Sequence, residues 1–190
     1  MPSFGQAIKI NTTETVVRAL DIICAVLIFG GIANKLTDSL GTSGISGCWY
    51  GIDYTGDSGD SSTCAYSMFS GVISFLLDLF LWGLIISSTM KDHPLGTNTK
   101  GALTIISMLN TLFVFANCIN LSVKYNDTCQ FVGRIADCKQ FEDESIALAI
   151  VVFSWFSLLL WLSTSFTNYG RFKGRDQDVR DVKQHEGSGL

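Results

Sequence analysis

Four stretches, 16–36, 65–88, 102–123 and 146–166, are long and almost free of charge, and they dictate what this chain can fold into. A hydrocarbon layer ~30 Å thick is crossed by about 20 apolar residues in helical form. The third and fourth stretches contain no Asp, Glu, Lys or Arg. In lipid no water is present to pair with backbone N–H and C=O groups, so each stretch must satisfy them internally as a helix. The Val and Ile content of the second and third stretches favours strands in water; here length and solvent overrule that propensity. The rest of the composition agrees. Apolar residues make up 47 % of the 190 and charged ones 16 %, with a mean hydropathy of +0.33. Thirteen basic against 17 acidic residues give a net charge of −4, which argues against a nucleic-acid partner.

The expected fold is all-α: a membrane-embedded antiparallel four-helix bundle. Residues 1–15 form an N-terminal segment without a signal-peptide pattern, 16–167 the four-span domain, and 168–190 a charged tail. The N-terminal segment, the 89–101 turn and the tail, with Arg18, hold nine of the 13 basic residues. The positive-inside rule therefore places both termini in the cytosol.

Cysteine placement is a second, independent indicator. Four of the six lie in the two loops assigned to the outer side: Cys48 and Cys64 in the first, Cys129 and Cys138 in the last. Disulfides persist outside the cytosol and seldom within it. Of the three connectivities that four cysteines allow, one bond within each loop is the simplest, and four free thiols is the alternative. Closing a ring of roughly 15 residues contributes about 3 kcal/mol in the chain-entropy model. Cys24 and Cys118 fall inside spans and read as packing residues.

Ionisable groups at membrane depth are costly and count as functional candidates. Arg18 and Asp21, three apart, share a helix face and can pair; near the cytosolic boundary, Arg18 can snorkel. Asp78 lies near the middle of the second span, and Asn110 reaches a similar depth on the third. An Asp78–Asn110 hydrogen bond is the expected arrangement. Proton or cation coupling through Asp78, or packing at an oligomer interface, are the alternatives. Arg171, Lys173 and Arg175 follow the last span directly and can touch anionic lipid head groups. Trp82 and Trp161 near the cytosolic ends, with Tyr66 and Tyr125 at the outer ends, suggest interfacial belts. Gly30, Gly31 and Ala33 in the first span, with Ser67, Ser70, Gly71 and Ser74 in the second, suit close helix approach.

Catalytic patterns are missing from the sequence. It has no Cys-x-x-Cys, no His-Glu-x-x-His, no Gly-x-Ser-x-Gly and no phosphate-binding Gly-rich loop with Lys. Its two histidines, His93 and His185, both fall in cytosolic segments. No enzyme, cofactor or metal site is expected. The end Ser188-Gly189-Leu190 resembles a C-terminal PDZ ligand, with Leu190 as the terminal aliphatic residue, and reads equally as an added linker.

This arrangement resembles the MARVEL-domain tetraspan proteins, particularly the synaptogyrin and synaptophysin group and the small fungal plasma-membrane members. The resemblance is carried by Arg18 opening a span that continues through Ile28-Phe29-Gly30-Gly31-Ile32, by Cys48-Trp49-Tyr50, by Cys64-Ala65-Tyr66, and by the Phe/Ser/Trp texture of 147–161. The long Tyr-rich tail of the neuronal proteins is missing, so a synaptic role is not implied. Claudins place two Trp ahead of a loop cysteine pair, whereas here Trp49 follows Cys48. Tetraspanins carry a Cys-Cys-Gly motif that this chain lacks.

The resemblance implies a non-enzymatic membrane organiser in the plasma membrane or in secretory or endosomal vesicles. Its partners would be membrane lipids and either copies of itself or a larger membrane complex. Alternatives are an accessory subunit of a channel, pump or transporter, a small oligomeric channel, or a claudin-like adhesion protein.

Overall fold

The computed structural model describes residues 12–36, 48, 50, 61–90, 96–132 and 144–187. Helix α1 runs Thr12–Gly31 and widens into a π-helical turn, Ile32–Leu36. Helices α2 (Ser61–Met90), α3 (Thr97–Val132) and α4 (Glu144–Gly187) follow. Among the described residues there is no strand. All four helices are long and apolar enough to cross a membrane, over Thr12–Asn34, Ser62–Met90, Asn98–Gln130 and Glu144–Gly170.

Two helices outrun the apolar windows. Residues 124–132, expected in a loop, continue α3 to Val132; no Gly or Pro interrupts them before Gly133. Likewise α4 runs on through the charged tail to Gly187, because adding a residue to an existing helix is far easier than nucleating one.

Helix α1 packs on α2 and α4, and α3 on α4 and α2. The α1–α2 approach is close. A Cβ added at Gly71 would stand 3.2 Å from Phe29 Cβ and 3.3 Å from the Ala25 carbonyl oxygen. Gly31 abuts Ile150 in the same way, while Gly30 faces open space. Small residues thus act where helices crowd one another, Gly71 against the α1 backbone and Gly31 against the Ile150 side chain.

The distribution of polarity is inverted relative to a water-soluble bundle. Ser67, Ser70, Ser74, Ser107, Asn110, Asn117, Ser154 and Ser157 are buried, whereas Leu76, Phe80, Leu109, Val152 and Leu159 face outward. Leu112 and Phe166 are 65 % and 72 % exposed. In water this would leave large apolar patches wet. In lipid the apolar surface is already solvated, and interhelical hydrogen bonds and close packing hold the helices together. Two apolar clusters complete the interior. One gathers Ile28, Ile32, Tyr50, Leu121 and Ile150 near the disulfide; the other gathers Leu81, Leu103, Val114, Leu158 and Trp161.

Candidate functional site

Arg18 is the centre of the most unusual group in the bundle. It is 1 % exposed, as is Asp78 on α2, and its Nη1 donates to Asp78 Oδ1 at 2.6 Å. Its guanidinium carbon lies 5.2 Å from the centroid of the Trp161 ring on α4, a cation–π position. Asp21, one turn along α1, sits beside the Asp78 carboxyl and accepts a hydrogen bond from Ser157 on α4. One cation therefore ties α1 to α2 directly and to α4 through Trp161, and Asp21 adds a second α1–α4 link. Arginine suits the position because its planar guanidinium offers a fork to carboxylates and a flat face to an aromatic ring.

The group is not sealed by these contacts. Among the described residues, Arg18 Nε and Nη2, Asp78 Oδ2 and Trp161 Nε1 are buried without a hydrogen-bond partner. Buried polar atoms in that state are the ones that hold ordered water in protein interiors. Glu14 Oε1 lies 3.9 Å from Arg18 Nη2, within ion-pair range but too far for a direct hydrogen bond. A cleft of about 90 Å³ reaches Glu14 between Thr13 and Val17 on α1 and Ser163, Thr164 and Thr167 on α4.

A second polar system joins α2, α3 and α4. Ser67 Oγ donates to Asn117 Oδ1 at 2.7 Å, and Asn110 Nδ2 donates to Ser74 Oγ at 3.2 Å. Across α3 and α4, Asn168 Nδ2 donates to Ser107 Oγ at 2.9 Å, and the Thr111 and Ser165 hydroxyls are 2.9 Å apart. Each contact satisfies a group that would otherwise be stranded in an apolar interior.

The end of the bundle at Ile32 is tied covalently. Cys48 is bonded to Cys64 at the start of α2, with 5.9 Å between Cα atoms. Tyr50, fully buried, donates from its hydroxyl to the Ala147 carbonyl at 2.7 Å and so pins the same loop to α4. Burial holds the Tyr50 phenol well above its ordinary range. Tyr125 near the end of α3 hydrogen-bonds Glu144 at the start of α4.

These positions correct several expectations. Asp78 meets Arg18 rather than Asn110, and Asn110 bonds Ser74 instead, because Arg18 offers the stronger, charge-assisted donor. Arg18 and Asp21 are enclosed between helices and do not snorkel to a boundary. Trp161 is no belt residue: it is buried against Arg18, and Trp155 is the exposed tryptophan of α4, its Nε1 donating to Ser122 Oγ at 3.0 Å. Trp82 is half-buried and donates to Thr15 Oγ1 at 3.2 Å.

The remaining expected positions are as follows. Cys129 is disulfide-bonded, and Cys138 lies outside the described residues. Lys173 is exposed; the side chains of Arg171 and Arg175, and all of Leu190, also lie outside them. Among the described residues no group of three or more His, Cys, Asp or Glu could hold a metal ion. Trp161, Ser157, Glu14 and Tyr50 were not anticipated as site residues. The four-residue spacing of Ser157 and Trp161 puts both on one face of α4, but nothing in the sequence says which helix that face meets.

The family model for MARVEL, a membrane-associating domain, matches residues 9–167. No curated protein matches the chain significantly.

Proposed function

The chain belongs to the MARVEL family of membrane-associating domains, and from that premise we propose that this integral multi-pass membrane protein is a non-enzymatic organiser. It assembles laterally with copies of itself and supports membrane-domain formation or vesicle traffic. The observation that carries the reading is how the bundle uses its polar groups. Buried Ser, Thr, Asn, Arg and Asp side chains bond to one another between helices, as in Arg18–Asp78, Ser67–Asn117 and Ser107–Asn168. Large apolar side chains such as Leu112, Leu159 and Phe166 are meanwhile left facing outward. A bundle built this way offers lateral surface to lipid and to other helices.

The topology follows the same reading. Residue numbers fall on one helix as they rise on its neighbour. On α1 and α2 the pairs are Thr15–Trp82 and Arg18–Asp78; on α3 and α4 they are Ser107–Asn168 and Ser122–Trp155. That order supports an antiparallel, up-and-down bundle. Basic residues concentrated at the ends carrying the termini support a cytosolic placement for both, with the Cys48–Cys64 loop on the opposite, oxidising side.

Native mass spectrometry of the protein extracted gently from its own membrane tests the organiser reading. A homo-oligomeric mass is the expected result, and a strict monomer would overturn it. A second reading, a subunit of a channel or transporter, is favoured by the buried Arg18–Asp78–Asp21 group. A stoichiometric complex with a larger transporter, or a conductance of the purified protein that Asp78→Asn abolishes, would establish that reading instead.

A further inference from the structure

Between α3 and α4 a groove of about 410 Å³ opens on the outer face of the bundle. Its walls are Met108 and Leu112 on one side and Leu162, Phe166 and Tyr169 on the other, and the hydrogen-bonded Thr111–Ser165 pair forms part of its lining. Every one of these residues lies within the stretches long and apolar enough to cross a membrane. The occupant at that depth is therefore a hydrocarbon chain or another apolar helix.

What distinguishes the two is the mouth of the groove. Leu162, Phe166, Tyr169 and Lys173 follow one another at helical spacing along a single stripe of α4. At 1.5 Å per residue the stripe is about 16 Å long, from apolar floor to ammonium. Gly101 on α3 packs against Phe172, a Cβ there standing 3.5 Å from the ring, so Lys100 and Lys173 are brought to the same end of the groove. Residues 96–104 and 165–173 contain Lys100, Arg171 and Lys173 and no acidic residue. A phospholipid matches this sequence of surfaces: acyl chain against Leu162 and Phe166, glycerol esters at the level of the Tyr169 hydroxyl, anionic head group at the lysines. A second copy of the chain would bring the same lysines to the same end and repel itself there.

We infer that the α3–α4 groove is a binding site for one anionic glycerophospholipid, its head group held by Lys173 and Lys100. This does not depend on self-assembly of the chain.

The test uses the full-length protein in nanodiscs of equimolar phosphatidylserine and phosphatidylcholine, followed by native mass spectrometry of the lipid retained per chain. One retained phosphatidylserine, preferred over phosphatidylcholine, is expected, and each lysine is worth about five-fold in that preference. Lys173→Gln should reduce the preference by that factor while the amount of retained lipid changes little. Leu112→Trp, which fills the groove from an exposed position, should remove the retained lipid; Met108→Trp is the second filling variant should the first fail to fold. Circular dichroism of both confirms the helix content. Equal retention of the two lipids by the wild type would overturn the assignment. So would a preference that survives filling the groove, or an oligomer that Leu112→Trp dissociates without any change in retained lipid.

Discussion

Arg18 Nη1 and Asp78 Oδ1 are 2.6 Å apart, and both side chains are 1 % exposed. The pair connects residues sixty positions apart in the chain, on helices whose outward faces are apolar. Removing two charges from water costs several kcal/mol per ion, so such a pair persists only where further contacts compensate it. Here Trp161 supplies the face of its ring to the cation, and Asp21 and Ser157 extend the network to α4. The result is a three-helix clasp in which α1 is held to α2 by Asp78 and to α4 by Trp161 and Ser157.

Breaking one side of the clasp should cost more than removing it. Arg18→Met leaves the Asp78 carboxyl without its cation and Asp78→Leu leaves Arg18 without its hydrogen-bonded partner, and each should lower stability by about 3–5 kcal/mol. The double variant should fall well short of the sum, by at least ~2 kcal/mol, in a double-mutant cycle measured by denaturant unfolding in detergent. Additive losses would show that the two residues do not act as a pair.

The Cys48–Cys64 bond encloses the segment from which Tyr50 reaches Ala147. Cys48→Ser, Cys64→Ser and the double variant should lose the same stability, about 3 kcal/mol in the chain-entropy model. A reductant should lower the midpoint of the wild type at least as far, since it also breaks the bond made by Cys129. Unequal losses in the two single variants would mean that one cysteine contributes by packing and not through the bond.

Glycines offer a contrast between contact and open space. Gly71→Ala should destabilise by about 1–3 kcal/mol, since its new methyl meets Phe29 Cβ and the backbone of Ala25. Gly83→Ala meets nothing within 4 Å and should leave the thermal midpoint unchanged or slightly raised. Equal effects at the two positions would contradict the close α1–α2 approach.

Tyr50 supplies a pH signature. Burial raises its phenol above the ordinary value, so the neutral form is favoured in the folded state and its contribution is fully present below the unfolded pKa of about 10. Above that value the unfolded chain ionises first, and stability should fall as pH rises. In an alkaline titration the Tyr50 phenolate should appear last, together with unfolding. Tyr50→Phe should abolish that late step while lowering stability at neutral pH through the lost bond to Ala147. A phenolate titrating reversibly in the folded protein near pH 10 at this position would refute the buried placement.

How far the sequence could be read depended on which physical quantity decided each feature. The four spanning helices were legible because a run of about 20 apolar residues has one low-energy form in lipid. Gly71 and the serines of α2 announced close packing by spacing alone. Arg18, Asp21, Asp78 and Asn110 stood out as polar groups in apolar stretches, and all four are buried between helices. Their partners were not legible. Asp78 had both Arg18 and Asn110 within plausible depth, and the choice depended on how α1 and α3 are rotated about α2. The same holds for Trp161, whose position in the chain suits an interfacial belt as well as it suits the core.

Sequence by itself determined the solvent and the four spanning helices of this protein, since hydrophobic length and backbone hydrogen bonding are properties of one segment at a time. Only the tertiary structure decided that Arg18 binds Asp78 beneath Trp161, that Asn110 turns to Ser74, and that Tyr50 reaches Ala147. Those outcomes are set by helix rotation and register, which arise from the packing of all four helices together and belong to no single segment.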